Sequence, residues 1–230
     1  MNALLTSPPR APRLRRLSSV ELLLAIALLF VAFPFIESLR RAVLIESILL
    51  TLVLVSAVFS IATDSRTLII AVALALPALA GRWIHQFRPH PLSAEIFLIA
   101  GSLLVLFVVI NLLRSILTAP SVNTEVLCAG ISAYLLFALL WTFAYWLVAE
   151  RVPGAFSFNT TAGDSASIKG FDGLYFSLIT LNTVGYGDIT PVSKIARMLA
   201  VAESTTGVLY VAVLIARLVA MHSTSERNEK

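Results

Sequence analysis

Three observations on this 230-residue chain predict an all-α integral membrane protein. Hydrophobic residues make up 58% of it and charged residues only 13%, against about 25% charged in soluble domains. That balance excludes an ordinary soluble domain, a disordered chain and a nucleic-acid-binding module. The apolar residues fall in six long runs, each near the ~20 residues that cross the roughly 30 Å of bilayer hydrocarbon. The basic residues that raise the pI to about 9.6 gather at the ends of those runs, where membrane-edge Lys and Arg sit. Cys128 is the single cysteine and there are three histidines. A disulfide framework and a Cys/His zinc site are therefore not expected.

The first span is assigned to residues 20–36, with Ser18-Ser19-Val20-Glu21 as a capping box at its start. Arg10, Arg13, Arg15 and Arg16 precede it as in a signal peptide. No A-x-A-like cleavage site follows, and Phe33-Pro34-Phe35-Ile36 is bulky, so a retained helix is expected. The second and third spans cover 43–62 and 67–84, and Thr63-Asp64-Ser65-Arg66 leaves room only for a tight turn. The fourth covers 95–117, the fifth 126–148 and the last 195–221, with Ser193 as a cap after Pro191. Pro89, Pro91 and Pro120 are assigned to loops, while Pro34 and Pro77 fall inside or near the ends of spans. The mixed stretch from Gly81 to His90 reads as an interfacial belt in preference to a sensing loop. Asn159-Thr160-Thr161 fits an N-glycosylation acceptor. No internal repeat is visible.

Between the fifth and last runs lies Phe171-Asp172-Gly173-Leu174-Tyr175-Phe176-Ser177-Leu178-Ile179-Thr180-Leu181-Asn182, apolar enough to enter a membrane and too short to cross it. It reads as a re-entrant helix, with Asp172 as its N-terminal cap. Its C-terminal end near Asn182 carries partial negative charge. Thr183-Val184-Gly185-Tyr186-Gly187-Asp188 follows directly. A line of backbone carbonyls aimed at one axis needs residues alternating into positive φ, which Gly185 and Gly187 adopt without a Cβ penalty.

The string from Thr180 through Thr183 to Asp188 resembles the selectivity filter of the tetrameric potassium channel family, whose filter chemistry is a standard example. The likeness implies a homotetramer around a central pore, embedded in a lipid bilayer. It implies potassium ions held by the carbonyls of Thr183, Val184, Gly185 and Tyr186, with the Thr183 hydroxyl completing the innermost site. Val184 and Tyr186 side chains would then pack behind the filter. Some relatives carry Glu where this chain has Ile179, so Asp188 needs another partner, and Tyr175 is the candidate. No other cofactor is implied, and no nucleic-acid partner.

The last span resembles the family's inner helix. Gly207 lies where relatives often carry a hinge glycine, and a gating bend and close packing are equally compatible with it. Ser204, Val208, Val211 and Ile215 recur at helical spacing and are expected to face the cavity. Arg217 is expected to snorkel at the cytoplasmic end. Glu203 is an acid inside a span, a functional candidate by default. Its readings are a regulatory acid near Thr180 or Asn182, or a protonated, structurally satisfied side chain at a subunit contact; the second is favoured.

The domain plan that follows has a basic cytoplasmic segment (1–17) and a four-helix voltage-sensor-like or scaffold region (18–122). A pore domain (123–222) and a short cytoplasmic tail (223–230) complete it. The fourth span holds Glu95 and then no basic residue before Arg114, so it lacks the repeated charges that voltage sensing requires. Glu46 in the second span has no basic ladder to face. G-x-S-x-G, H-E-x-x-H and Cys/His clusters are absent, so an enzyme is not expected. The function implied is passive, potassium-selective conduction without strong voltage gating. A non-conducting regulatory or scaffold subunit is the alternative. The resemblance places both termini in the cytoplasm and the chain in the inner or plasma membrane.

Overall fold

The computed structural model describes residues 18–36, 39, 41–62, 64–88, 90–159 and 168–228. The basic cluster Arg10 to Arg16 and the Ser18 side chain of the expected capping box lie outside the described residues, as do Thr63 and Pro89. Seven helices and one short two-stranded antiparallel sheet make up the described fold: α1 (Ser18–Ile36), α2 (Ala42–Ser60), α3 (Ser65–Phe87), α4 (Pro91–Thr118), α5 (Thr124–Arg151), β1 (Phe156–Phe158), α6 (Gly170–Leu181), β2 (Ile189–Pro191) and α7 (Lys194–Asn228). Six of the helices are long and apolar enough to cross a membrane, and α6 is the short apolar helix among them.

The ends of these helices follow their local chemistry. Asn123 caps α5 by accepting from Val126 N at 2.9 Å, which satisfies one of the orphan amides of the first turn. Ser193 does the same for α7, accepting from Ala196 N at 3.2 Å. Pro91, assigned to a loop from sequence, is instead the first residue of α4. Its missing N–H costs nothing there and its φ suits the helix. His90 is the cap, accepting from Leu92 N. Pro34 and Pro77 lie inside α1 and α3.

Within the first four helices α1 packs on α2, α2 on α3 and α3 on α4, and both α1 and α4 lie against α5. The α3–α4 crossing is close because Gly81 has no side chain: a Cβ there would meet Phe97 N at 2.8 Å and Ser93 O at 2.9 Å. Phe97 of α4 meets Phe143 of α5 edge-on at 5.3 Å between centroids. Arg151, at the end of α5, holds Glu95 near the start of α4 through two bonds of 2.8 and 2.7 Å. α6 packs between α5 and α7, and Phe33 near the end of α1 stacks against Phe171 at its start, 6.3 Å apart. The end of α1, the start of α4 and the end of α5 therefore lie at the same level as the start of α6.

Candidate functional site

The site is built on α6 and the six residues after it. Helix α6 is fixed from behind by aromatic packing: Phe176, Phe156 and Tyr145 meet edge-to-face with centroids 4.9 to 5.7 Å apart. Trp146 closes on Gly173, where a Cβ would fall 2.1 Å from the indole nitrogen. The cap of α6 is Lys169, without a side-chain bond, and Asp172 lies inside the first turn. The expectation of an Asp172 cap is thus displaced by three residues. Its charge remains favourably placed near the helix N-terminus.

At the other end the chain leaves α6 by bending back on it. Thr183 N–H donates to Thr180 O at 2.9 Å, and Val184 and Gly185 N–H both donate to Ile179 O at 2.8 and 3.2 Å. The first amides of the loop thus satisfy the last carbonyls of the helix. The φ angles then alternate in sign: +57° at Thr183, +54° at Gly185 and +80° at Gly187, with Val184 and Tyr186 negative between them. Alternation of this kind turns successive carbonyls toward one side of the strand. Nothing within 4 Å would obstruct a Cβ at Gly185 or Gly187. It is backbone conformation and not space that calls for glycine there.

Sequence reasoning located this requirement at the two glycines and missed Thr183, which among the described residues is the only non-glycine with positive φ. Its cost is of order 1–2 kcal/mol. Extending the Gly185/Gly187 alternation backward by two residues is the signal that would have found it. Val184 and Tyr186 are 49% and 74% exposed in the single chain.

The outer end of the loop is held by three side chains. Tyr175 Oη donates to Asp188 Oδ2 at 2.7 Å, and Asp188 Oδ1 accepts from Ile189 N at 3.0 Å. The tyrosine hydroxyl, aided by this backbone amide, keeps the Asp188 carboxyl below the usual carboxylate range. Asn159 donates through Nδ2 to Gly187 O at 2.6 Å and through its backbone N–H to Asp188 O at 2.7 Å. Its place beside β1, which pairs antiparallel with β2 (Phe156 opposite Pro191, Phe158 opposite Ile189), sets it there. Sequence reasoning read Asn159 only as a glycosylation acceptor. At the inner end Asn182 Oδ1 accepts from Tyr134 Oη of α5 at 2.9 Å, and its Nδ2 donates to Leu178 O.

Helix α7 presents one face to this assembly. Glu203, Gly207 and Tyr210 are buried along it. Gly207 crosses α6 at its last turn, where a Cβ would lie 2.2 Å from Leu181 O. Glu203 is fully buried and binds Ser177 Oγ at 2.5 Å and the Tyr145 hydroxyl. The partners named from sequence, Thr180 and Asn182, are not the ones it meets. The contact lies within one chain, one helical turn earlier on α6. Ser177 Oγ also binds Ala138 O at 2.8 Å, so α5, α6 and α7 meet at this point. Val208, Val211 and Ile215 are exposed on the opposite side of α7, and Ser204 is half-buried. Arg217 Nη2 donates to Ala119 O at 2.9 Å, just past the end of α4.

Glu46 in α2 is paired after all. Its cation comes from α3: Arg82 Nη2 lies 3.1 Å from Glu46 Oε1, and Arg82 Nε donates to Ser47 Oγ at 2.9 Å. Arg82 falls in the third span (67–84) and in the interfacial belt read from Gly81 to His90, and it lies inside α3, which continues to Phe87.

A family model described as "Ion channel" matches residues 126–223. The chain is 35% identical over 81 residues to the two pore potassium channel b of Oryza sativa subsp. japonica, a match covering 35% of this chain and 20% of that protein. It is 50% identical over 61 residues to protein LctB of Geobacillus stearothermophilus, covering 26% and 44%. It is 33% identical over 84 residues to the voltage-gated potassium channel of Aeropyrum pernix, covering 36% and 25%. The chain spans about a fifth of the length of the first of these relatives. Residues 126–223, which hold the last two of the six helices long and apolar enough to span a bilayer and the short helix α6 between them, are thus the part of the chain that is similar to ion channels, potassium channels among them.

Proposed function

We propose that four copies of this chain surround a central pore and pass potassium passively down its electrochemical gradient. The observation that carries this reading is the sign alternation of φ at Thr183, Gly185 and Gly187, closed against α6 by the two bonds to Ile179 O. A cation leaving water must regain oxygens, because a bare charge in hydrocarbon is prohibitively costly. One strand supplies oxygens from one side only, so a ring around the ion takes several strands, and four chains complete it. Thr183, Val184, Gly185 and Tyr186 give the carbonyls, and the Thr183 hydroxyl adds the innermost oxygen. Val184 and Tyr186, uncovered in one chain, would be covered by its neighbours. Ser204, Val208, Val211 and Ile215 line the inner vestibule.

Strong voltage gating is not part of the proposal. The fourth helix has no basic ladder, and Arg82, the buried cation of the first four helices, is paired with Glu46. Moving one charge through 100 mV supplies about 2.3 kcal/mol, and steep voltage dependence needs several. The filter mouth faces outward and the start of α1 and end of α7 face the cytoplasm of an inner or plasma membrane.

Rubidium and sodium uptake into liposomes holding the purified protein tests the reading. Rubidium uptake far above sodium, blocked by barium, is expected. Equal uptake of the two ions would remove the selectivity, and no uptake under any pH or voltage would favour a silent subunit.

A further inference from the structure

Away from the filter, α4, α5 and α7 enclose an apolar slot of about 300 Å³. Its walls are Leu113 and Ile116 of α4, Phe137 of α5, and Leu209, Val213 and Leu214 of α7. Tyr210 forms a fixed wall, since its hydroxyl donates to Gly130 O at 2.6 Å. Thr206 also lines it, with its hydroxyl spent on Ala202 O. Around the mouth, Leu117, Leu209 and Val213 are exposed. Both α4 and α7 are bilayer-crossing helices, so the mouth opens at the depth of lipid chains.

One charged residue lines the slot. Arg217 sits near the end of the apolar part of α7, which runs to Ala220, on the side remote from the filter and beside Ala119 just past α4. Among the described residues no carboxylate pairs with it. A single bond, to Ala119 O, is made by Nη2, and its Nε is shut off from solvent with no acceptor. A guanidinium offers five donors in a fork that matches phosphate oxygens. Leaving such a charge half-buried without an anion is costly. We infer that this slot is a binding site for an anionic phospholipid, with one acyl chain lying between α4 and α7 and the headgroup phosphate on Arg217.

The occupant follows from the chemistry of the two ends. An apolar slot alone fits any lipid tail, and a surface cation alone attracts any anion. A cation closing the membrane-edge end of an apolar slot fits a molecule that is both. The site is separate from the filter, and its occupancy does not depend on conduction.

The test is native mass spectrometry of the detergent-solubilised protein titrated with phosphatidylglycerol or phosphatidylcholine. The unaltered protein is expected to prefer phosphatidylglycerol about fivefold, the effect of roughly 1 kcal/mol per basic residue at an anionic headgroup. Arg217→Gln should bring the two lipids to equal occupancy, and Arg217→Lys should keep part of the preference. Val213→Trp, which fills the slot, should lower retention of both lipids while leaving the Arg217 preference among those that remain. A phosphatidylglycerol preference surviving Arg217→Gln would overturn the site. So would a Val213→Trp protein that loses its assembly with unchanged lipid counts, because a second copy of the chain would then be what fills the slot. Lipid counts are read without ion flux, so a channel that fails to conduct leaves this outcome unaffected.

Discussion

Glu46 in α2 and Glu203 in α7 are both carboxylic acids placed in apolar helices, one among the first four helices and one in the pore region. Glu46 is neutralised by a cation, Arg82, from the helix beside it, and that cation is further used on Ser47 and over the face of Phe97 at 5.4 Å. Among the described residues Glu203 meets no cation but two hydroxyls, from α5 and α6. The first arrangement ties α3 to α2, with Phe97 of α4 against it, and is a local repair of a part-buried charge. The second joins three helices directly behind the loop that carries the chemistry. Burying an acid is costly in either case, so the difference lies in what the solution connects: packing partners in one region, the support of the pore strand in the other.

The comparison breaks first at Arg82. Removing one partner of a buried pair costs about 3–5 kcal/mol. Arg82→Met is therefore expected to lower unfolding stability in detergent by that amount, while Arg82→Met combined with Glu46→Met recovers most of it. If the single change costs nothing, the pair contributes no more than an exposed one and the contrast with Glu203 disappears. The proteins that remain folded are expected to keep the native rubidium-to-sodium ratio, because the Arg82 bonds run to Glu46 and Ser47 of α2.

Gly207→Ala tests the pore side. A methyl group 2.2 Å from Leu181 O forces α6 and α7 apart, and overpacking of this kind costs about 1–3 kcal/mol. A lowered melting temperature together with a lost filter selectivity is expected. A hinge without close packing would instead leave melting unchanged and alter only open probability.

A smaller effect is expected at the outer end of the loop. Tyr175→Phe removes one hydrogen bond to a charged acceptor, worth roughly 1.5 kcal/mol or a little more, less here because Asp188 is only part-buried. The pH dependence has a definite sign. Asp188 titrates below its unfolded value of about 3.9, so its contribution is complete above that pH and is lost as pH falls through the lower, folded value. Selectivity measured by flux should hold to about pH 4 and fail below it, and Tyr175→Phe should move that failure to higher pH. An unmoved acid limit would show that Asp188 does not hold the loop.

Much of this was legible in the sequence because membranes impose simple rules. Six spans follow from run length alone, and the ends of α2 and α5 and the start of α7 fall close to where polar residues interrupt the apolar ones, while α7 itself continues past the expected 221 to Asn228. Tyr175 was reachable because Ile179 cannot serve Asp188. What escaped reading depends on contacts between distant residues. Arg82 read as one more belt residue because nothing local shows that Glu46, 36 positions earlier, lies beside it. Asn159 reaches Gly187 only because β1 and β2 pair. Ser177 and Tyr145 carry no signal as partners of Glu203 until the packing of α5, α6 and α7 is known. Asp172 and Pro91 were misplaced by a turn or less, since a good capping residue and a helix-start proline look alike in an unfolded string.

The three-helix junction also fixes where protons are. Ser177 Oγ lies 2.5 Å from Glu203 Oε1 and 2.8 Å from Ala138 O, and a serine hydroxyl owns one hydrogen. Two oxygen contacts need two. Ala138 O is a carbonyl and has none to give, and the Tyr145 hydrogen is spent on the other carboxyl oxygen. The second hydrogen therefore belongs to Glu203, whose side chain sits there as an uncharged acid that both gives and receives. A carboxamide can do the same with the same shape, so Glu203→Gln is expected to melt and conduct like the native protein. Glu203→Asp, which keeps the acid but withdraws it by one carbon, should not. What looked like a buried charge in α7 is then no charge at all, and the loop after α6 rests against an electrically neutral wall.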